Sequence, residues 1–155
     1  MIDPENQNNI GKEIIANLGE LPGYGPILWW DDSGSHPFDG ATKYWAIDVQ
    51  TVDRNDPYHK YYADNGRHNY PKITESKNKA AKEMGLKGIL GVLVVLDYRN
   101  DVAEIHAKEM PLRPHWFNEA MKAGGYSWRK YNAPKILENV KFKNPMTDWR
   151  RHEPK

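Results

Sequence analysis

The strongest constraint in this chain is one unbroken apolar run, Ile89-Leu90-Gly91-Val92-Leu93-Val94-Val95-Leu96. Successive side chains of a strand leave opposite faces of a sheet, so here both faces are apolar. Such a strand needs cover on both sides, which points to the centre of a sheet with helices on its faces. Eight residues fall far short of the roughly 20 that a helix needs to cross a bilayer. The run therefore predicts a buried strand of an α/β fold and no membrane span.

The segments around it complete the pattern. Ile10, Ile14, Leu18 and Leu21 recur at helical spacing over 10–21, and Leu21-Pro22-Gly23-Tyr24-Gly25-Pro26 ends that helix. Ile27 to Asp32 reads as a strand, and His36-Pro37-Phe38-Asp39-Gly40 as a turn or short strand. Lys43 to Val52 alternates, with Trp45, Ile47 and Val49 on one face and Tyr44, Ala46, Asp48 and Gln50 on the other. Residues 53–72 read as a long polar loop, 73–86 as a helix, and Val102 to Met110 as another alternating strand. Short helices are expected over 115–123 and 134–140, with an extended tail from Lys141. The expectation is one α/β domain over 1–155, with a central mixed sheet of about five strands. A core over 10–110 carries a helical C-terminal extension over 111–155.

With 155 residues and no cysteine, disulfide scaffolds, thiolate nucleophiles and thiolate metal sites are excluded. The start is polar and acidic, without the basic and apolar regions of a signal peptide. A soluble cytoplasmic protein is expected, although a protein exported by dedicated machinery has the same features. The net charge of +1 hides an uneven distribution. Residues 1–110 hold 12 Lys and Arg against 17 Asp and Glu, while residues 111–155 hold 10 against 4. The basic part is also aromatic, densest at Trp128-Arg129-Lys130-Tyr131 and Trp149-Arg150-Arg151-His152. Cationic side chains beside aromatics suit phosphate contact and base stacking. Trp128, Arg129, Lys130, Arg150 and Arg151 are the expected nucleic-acid contacts, and the bland alternative is helix packing with a solvated charged face.

The chemistry centres on Asp39 and Asp48. Asp48 and Gln50 lie two apart on a strand and leave the same face. Asp39 sits at the entrance to that strand, and strands about 4.8 Å apart bring a turn carboxylate to a strand carboxylate. Two carboxylates repel, and a hard cation such as Mg²⁺ or Mn²⁺ resolves that repulsion.

Pro37-Phe38-Asp39-Gly40 followed by Ile47-Asp48-Val49-Gln50 resembles the signature of the PD-(D/E)xK nuclease superfamily. The order of elements from 10 to 96 resembles that family's core of a helix, a three-strand meander, a crossover helix and a further strand. The resemblance implies metal-dependent phosphodiester hydrolysis of DNA or RNA. It implies Asp39 and Asp48 as metal ligands, with Glu13 or Glu20 matching the extra acid some members carry. Homodimers are common among such nucleases. Gln50 stands where the family usually has Lys, and some members recruit a lysine from the following helix. Here Lys77 or Lys79, ahead of Lys43, would fill that part, with Gln50 orienting water or phosphate.

Two other readings compete. One is a non-catalytic nucleic-acid- or protein-binding factor of phage or mobile-element type on the same scaffold. The other is a metal-independent ribonuclease using His59 or His68. The six histidines form no H-x-x-x-H or H-x-H pair, so a histidine zinc site has little support. No glycine-rich phosphate loop and no G-x-S-x-G elbow is present.

Overall fold

The computed structural model describes residues 4–30, 38–55, 72–73, 75–112, 126–127 and 134–145. The chain opens with helix α1 (Pro4–Leu18). Short strands β1 (Glu20–Leu21), β2 (Gly25–Pro26), β3 (Leu28–Trp29) and β4 (Gly40–Ala41) follow, and then the long β5 (Trp45–Asp53). After β6 (Lys72–Ile73) come α2 (Glu75–Glu83), β7 (Gly88–Asp97), β8 (Val102–Pro111), β9 (Tyr126–Ser127) and β10 (Lys135–Lys141).

Six of these strands form one mixed sheet in the order β10-β8-β7-β5-β4-β3. β3, β4 and β5 make an antiparallel meander. α2 lies in the connection from β5 to β7, which pair in parallel from Trp45↔Gly88 to Asp53↔Leu96. β8 returns antiparallel beside β7. The connecting turn holds Asp101 at φ 56°, and the Asp97 carboxylate accepts from the Arg99 and Asn100 amides. Strands β1–β2 and β6–β9 form two separate two-stranded pieces.

The doubly apolar run is the middle of β7, flanked by β5 and β8. Leu90, Val92, Val94 and Leu96 share a face with Ile47 and Val49, and that face packs on Ile14 and Ile15 of α1. Ile89 and Leu93 leave the other face with Ala46 and Val52 and meet Ala81 of α2. One helix thus covers each side of the central strands. Burying these aliphatic side chains is the main favourable contribution, at about 1.5–3 kcal/mol for each one fully buried.

α1 lies close on β5 because of its residue 11. A Cβ added at Gly11 would stand 1.8 Å from Thr51 Oγ1, so only glycine fits without a shift. Gln7 Nε2 donates to the Thr51 carbonyl at 3.2 Å, and Thr51 Oγ1 donates to Asn8 Oδ1 at 3.1 Å. The helix ends where Gly19 adopts φ 79°, a left-handed conformation that favours glycine.

The expected mixed sheet is present, with six strands. One expectation is corrected. Residues 134–140, expected as a short helix, instead supply β10 on the edge beside β8. Ile136, Leu137 and Val140 have helix-like spacing because register shifts interrupt the two-residue alternation, and Asn139 sits at φ 55°. The pairing groups along the outer edge of β8 are what this segment satisfies. The helix expected at 115–123, most of the 53–72 loop, His59, His68 and the five basic-aromatic residues at 128–130 and 150–151 lie outside the described residues.

Candidate functional site

The site forms where β4 leaves β5. The Asp39 amide donates to the Ile47 carbonyl at 2.9 Å, continuing the β4–β5 ladder by one rung. The next rung is made by a side chain: the Val49 amide donates to Asp39 Oδ2 at 2.7 Å. The Asp39 carboxylate is therefore fixed beside β5 by the backbone donor that a longer β4 would have paired.

Asp48 lies one residue before Val49 and leaves the α2 face of β5. Only 6% of it is exposed, although carboxylates are rarely buried without a partner. Its partner is Lys77, in the first turns of α2, whose Nζ lies 2.7 Å from Asp48 Oδ2. From the other layer, Lys12 of α1 places its Nζ 2.9 Å from Asp39 Oδ1. Each helix thus sends one lysine to one carboxylate.

Burial pushes the Asp48 carboxyl above the usual range. The Lys77 ammonium opposes that rise most strongly, the negative charge of Asp39 adds to it, and Lys12 offsets it slightly. Asp39 and Asp48 therefore feel each other's charge. Two carboxylates from adjacent backbone segments, fixed on a β-scaffold and within electrostatic reach, are the donor set a hard divalent cation takes. Mg²⁺ commonly binds through one or two carboxylates plus water and phosphate oxygens, so this set fits.

The other expected residues are distributed as follows. Gln50 shares the Asp48 face and is half-buried. Lys79 is exposed, and two residues from Lys77 on a helix means it does not share its face. Glu13 is exposed and lines a groove between α1 and β10 with Ile10, Ile14, Val140 and Phe142, so it is not brought to Asp39 and Asp48. Glu20 is exposed on β1. Lys43 lies over the Tyr44 ring, 5.2 Å from its centroid. Among the described residues no three Asp, Glu or His side chains converge, so the site has two carboxylates and not three.

Two participants went unseen in the sequence: the Val49 amide and Lys12. Lys12 had a signal. Asn8, Gly11 and Ile15 fall at i, i+3 and i+7 and face the sheet, and Lys12 lies four residues after Asn8. The aliphatic stripe of Ile10, Ile14 and Leu18 masks that signal, because it points to Glu13 beside it.

No helix among the described residues is long and apolar enough to cross a membrane. No family model matches the chain, and neither does any curated protein or solved structure.

Proposed function

We propose that the protein is a metal-dependent nuclease that hydrolyses phosphodiester bonds of DNA or RNA. The observation that carries this reading is that Asp39, at the strand entrance, lies within electrostatic reach of the buried Asp48 on β5, which Lys77 of the crossover helix contacts at 2.7 Å. The element order supports it as well. α1, the β3–β4–β5 meander, α2 and a parallel β7 run in the sequence that the resemblance implies.

Asp39 and Asp48 would hold Mg²⁺ or Mn²⁺. When bound, such an ion lowers the pKa of water and neutralises charge on the phosphate. The residues of the chain do the rest. The Val49 amide fixes the Asp39 carboxylate in one orientation. Lys77 takes the place of the lysine that Gln50 replaces, bringing an ammonium from α2 to the Asp48 carboxylate. A cation in a partly dehydrated site stabilises developing phosphate charge far better than one in water. Gln50, on the same face of β5, is placed to orient water or a phosphate oxygen. The basic, aromatic segments at 128–130 and 150–151 are assigned to holding the nucleic acid.

The test is incubation with plasmid, branched DNA and RNA, with Mg²⁺ or with EDTA. Cleavage that needs Mg²⁺ and disappears in Asp48→Asn supports the reading. Cleavage that survives EDTA contradicts it and favours loop histidines. Binding without cleavage of any substrate favours a non-catalytic factor.

A further inference from the structure

We propose that the site takes a single divalent cation and that Lys12 stands where a second one would sit. This rests on the metal-dependent reading above. The carboxylates supply two negative charges, and Lys12 and Lys77 bring two positive ones. A second divalent cation would add its charge beside these two ammonium groups, with no third acidic ligand converging among the described residues.

The oxygens of Asp39 point the same way. Oδ2 accepts from the Val49 amide, and Oδ1 faces the Lys12 ammonium. A second cation on Asp39 must either expel Lys12 or gain another acid. The nearest acid in sequence, Glu13, lines the groove against β10. Lys12 is also held firmly at its base, because Gly11 lets α1 lie against Thr51 and Gln7 and Asn8 bond to that same residue. The ammonium is thus a built-in positive charge beside the first carboxylate, supplied from the opposite helix layer to Lys77.

Counting Mn²⁺ tests this without measuring activity. The signal of free Mn²⁺ in electron paramagnetic resonance is followed as the full chain is titrated with the ion. One ion per wild-type chain is expected, and two on Lys12→Glu, where a carboxylate replaces the ammonium. Lys12→Met should bind its single ion about tenfold more tightly, since a nearby positive charge is gone. Two ions on the wild type, or one on a folded Lys12→Glu, overturn the inference and leave the metal reading standing. No ion on the wild type overturns the metal reading itself. If Lys12→Glu does not fold, Lys12→Met decides, and affinity that is unchanged or weaker overturns the inference.

Discussion

Lys77 on α2 holds its ammonium 2.7 Å from the Asp48 carboxylate on β5, across a chain separation of 29 residues. Lys79 is exposed elsewhere on the same helix. The two lysines should therefore separate cleanly in function. Lys77→Met is expected to lower kcat by about 10²-fold or more, the scale for losing one transition-state charge contact. Lys79→Met should leave it within about twofold, since surface changes away from a site do little. Initial rates with Mg²⁺ on the best substrate check both.

Asp48 is expected to trade stability for function. Its carboxyl is held above its ordinary value in the fold, mainly by burial. The folded chain therefore keeps that proton to a higher pH than the unfolded chain does. Below the unfolded value, about 3.9, both states are protonated and the residue costs nothing. As pH rises through the folded value, the fold must carry a buried charge and stability falls. Asp48→Asn should then melt no lower than wild type at pH 7, with the difference vanishing at acid pH. Melting curves across that range check it, and a lower melting temperature at pH 7 would oppose this account of Asp48.

Gly11 should resist the substitution that usually strengthens a helix. Alanine in place of glycine within a helix ordinarily gains up to about 1 kcal/mol. Here its Cβ would collide with the Thr51 side chain, and overpacking of this kind costs about 1–3 kcal/mol. Gly11→Ala is expected to be net destabilising by denaturant titration. It should also impair activity, because α1 carries Lys12 to Asp39.

β10 makes a separate test of the architecture. Asn139 is at φ 55°, a conformation that costs a β-branched residue about 1–2 kcal/mol. Asn139→Val should destabilise by that amount and Asn139→Gly should not, as judged by chemical unfolding. A helical 134–140 would give the reverse order, with glycine the more damaging change.

The core was legible where hydrophobic pattern and structure share one period. β7 follows from its apolar run, and β5, α2 and β8 fall within a few residues of the segments their patterns mark. α1 starts six residues before its expected segment, and Leu21, counted on its stripe, belongs to β1. The alternation of β5 did not reveal that both of its faces are covered, because α2 comes from a distant part of the chain. β10 carries a helix-like spacing because its bulges remove the two-residue period that identifies a strand. At the site, Asp39 and Asp48 stand out through spacing, and Lys77 is one of three lysines that the resemblance alone offers. Lys12 and the Val49 amide depend on how a helix lies against a sheet and on where a strand pairing ends. Neither is a local property of the sequence.

The most direct measurement is a crystal grown with Mn²⁺ and examined for its anomalous scattering. One strong peak is expected within coordination distance, about 2.0–2.3 Å, of both the Asp39 and the Asp48 carboxylate. Lys12 and Lys77 should remain beside it. A fully soaked crystal with no peak there, and both lysines still paired to the carboxylates, would contradict the metal site on which the proposed nuclease depends.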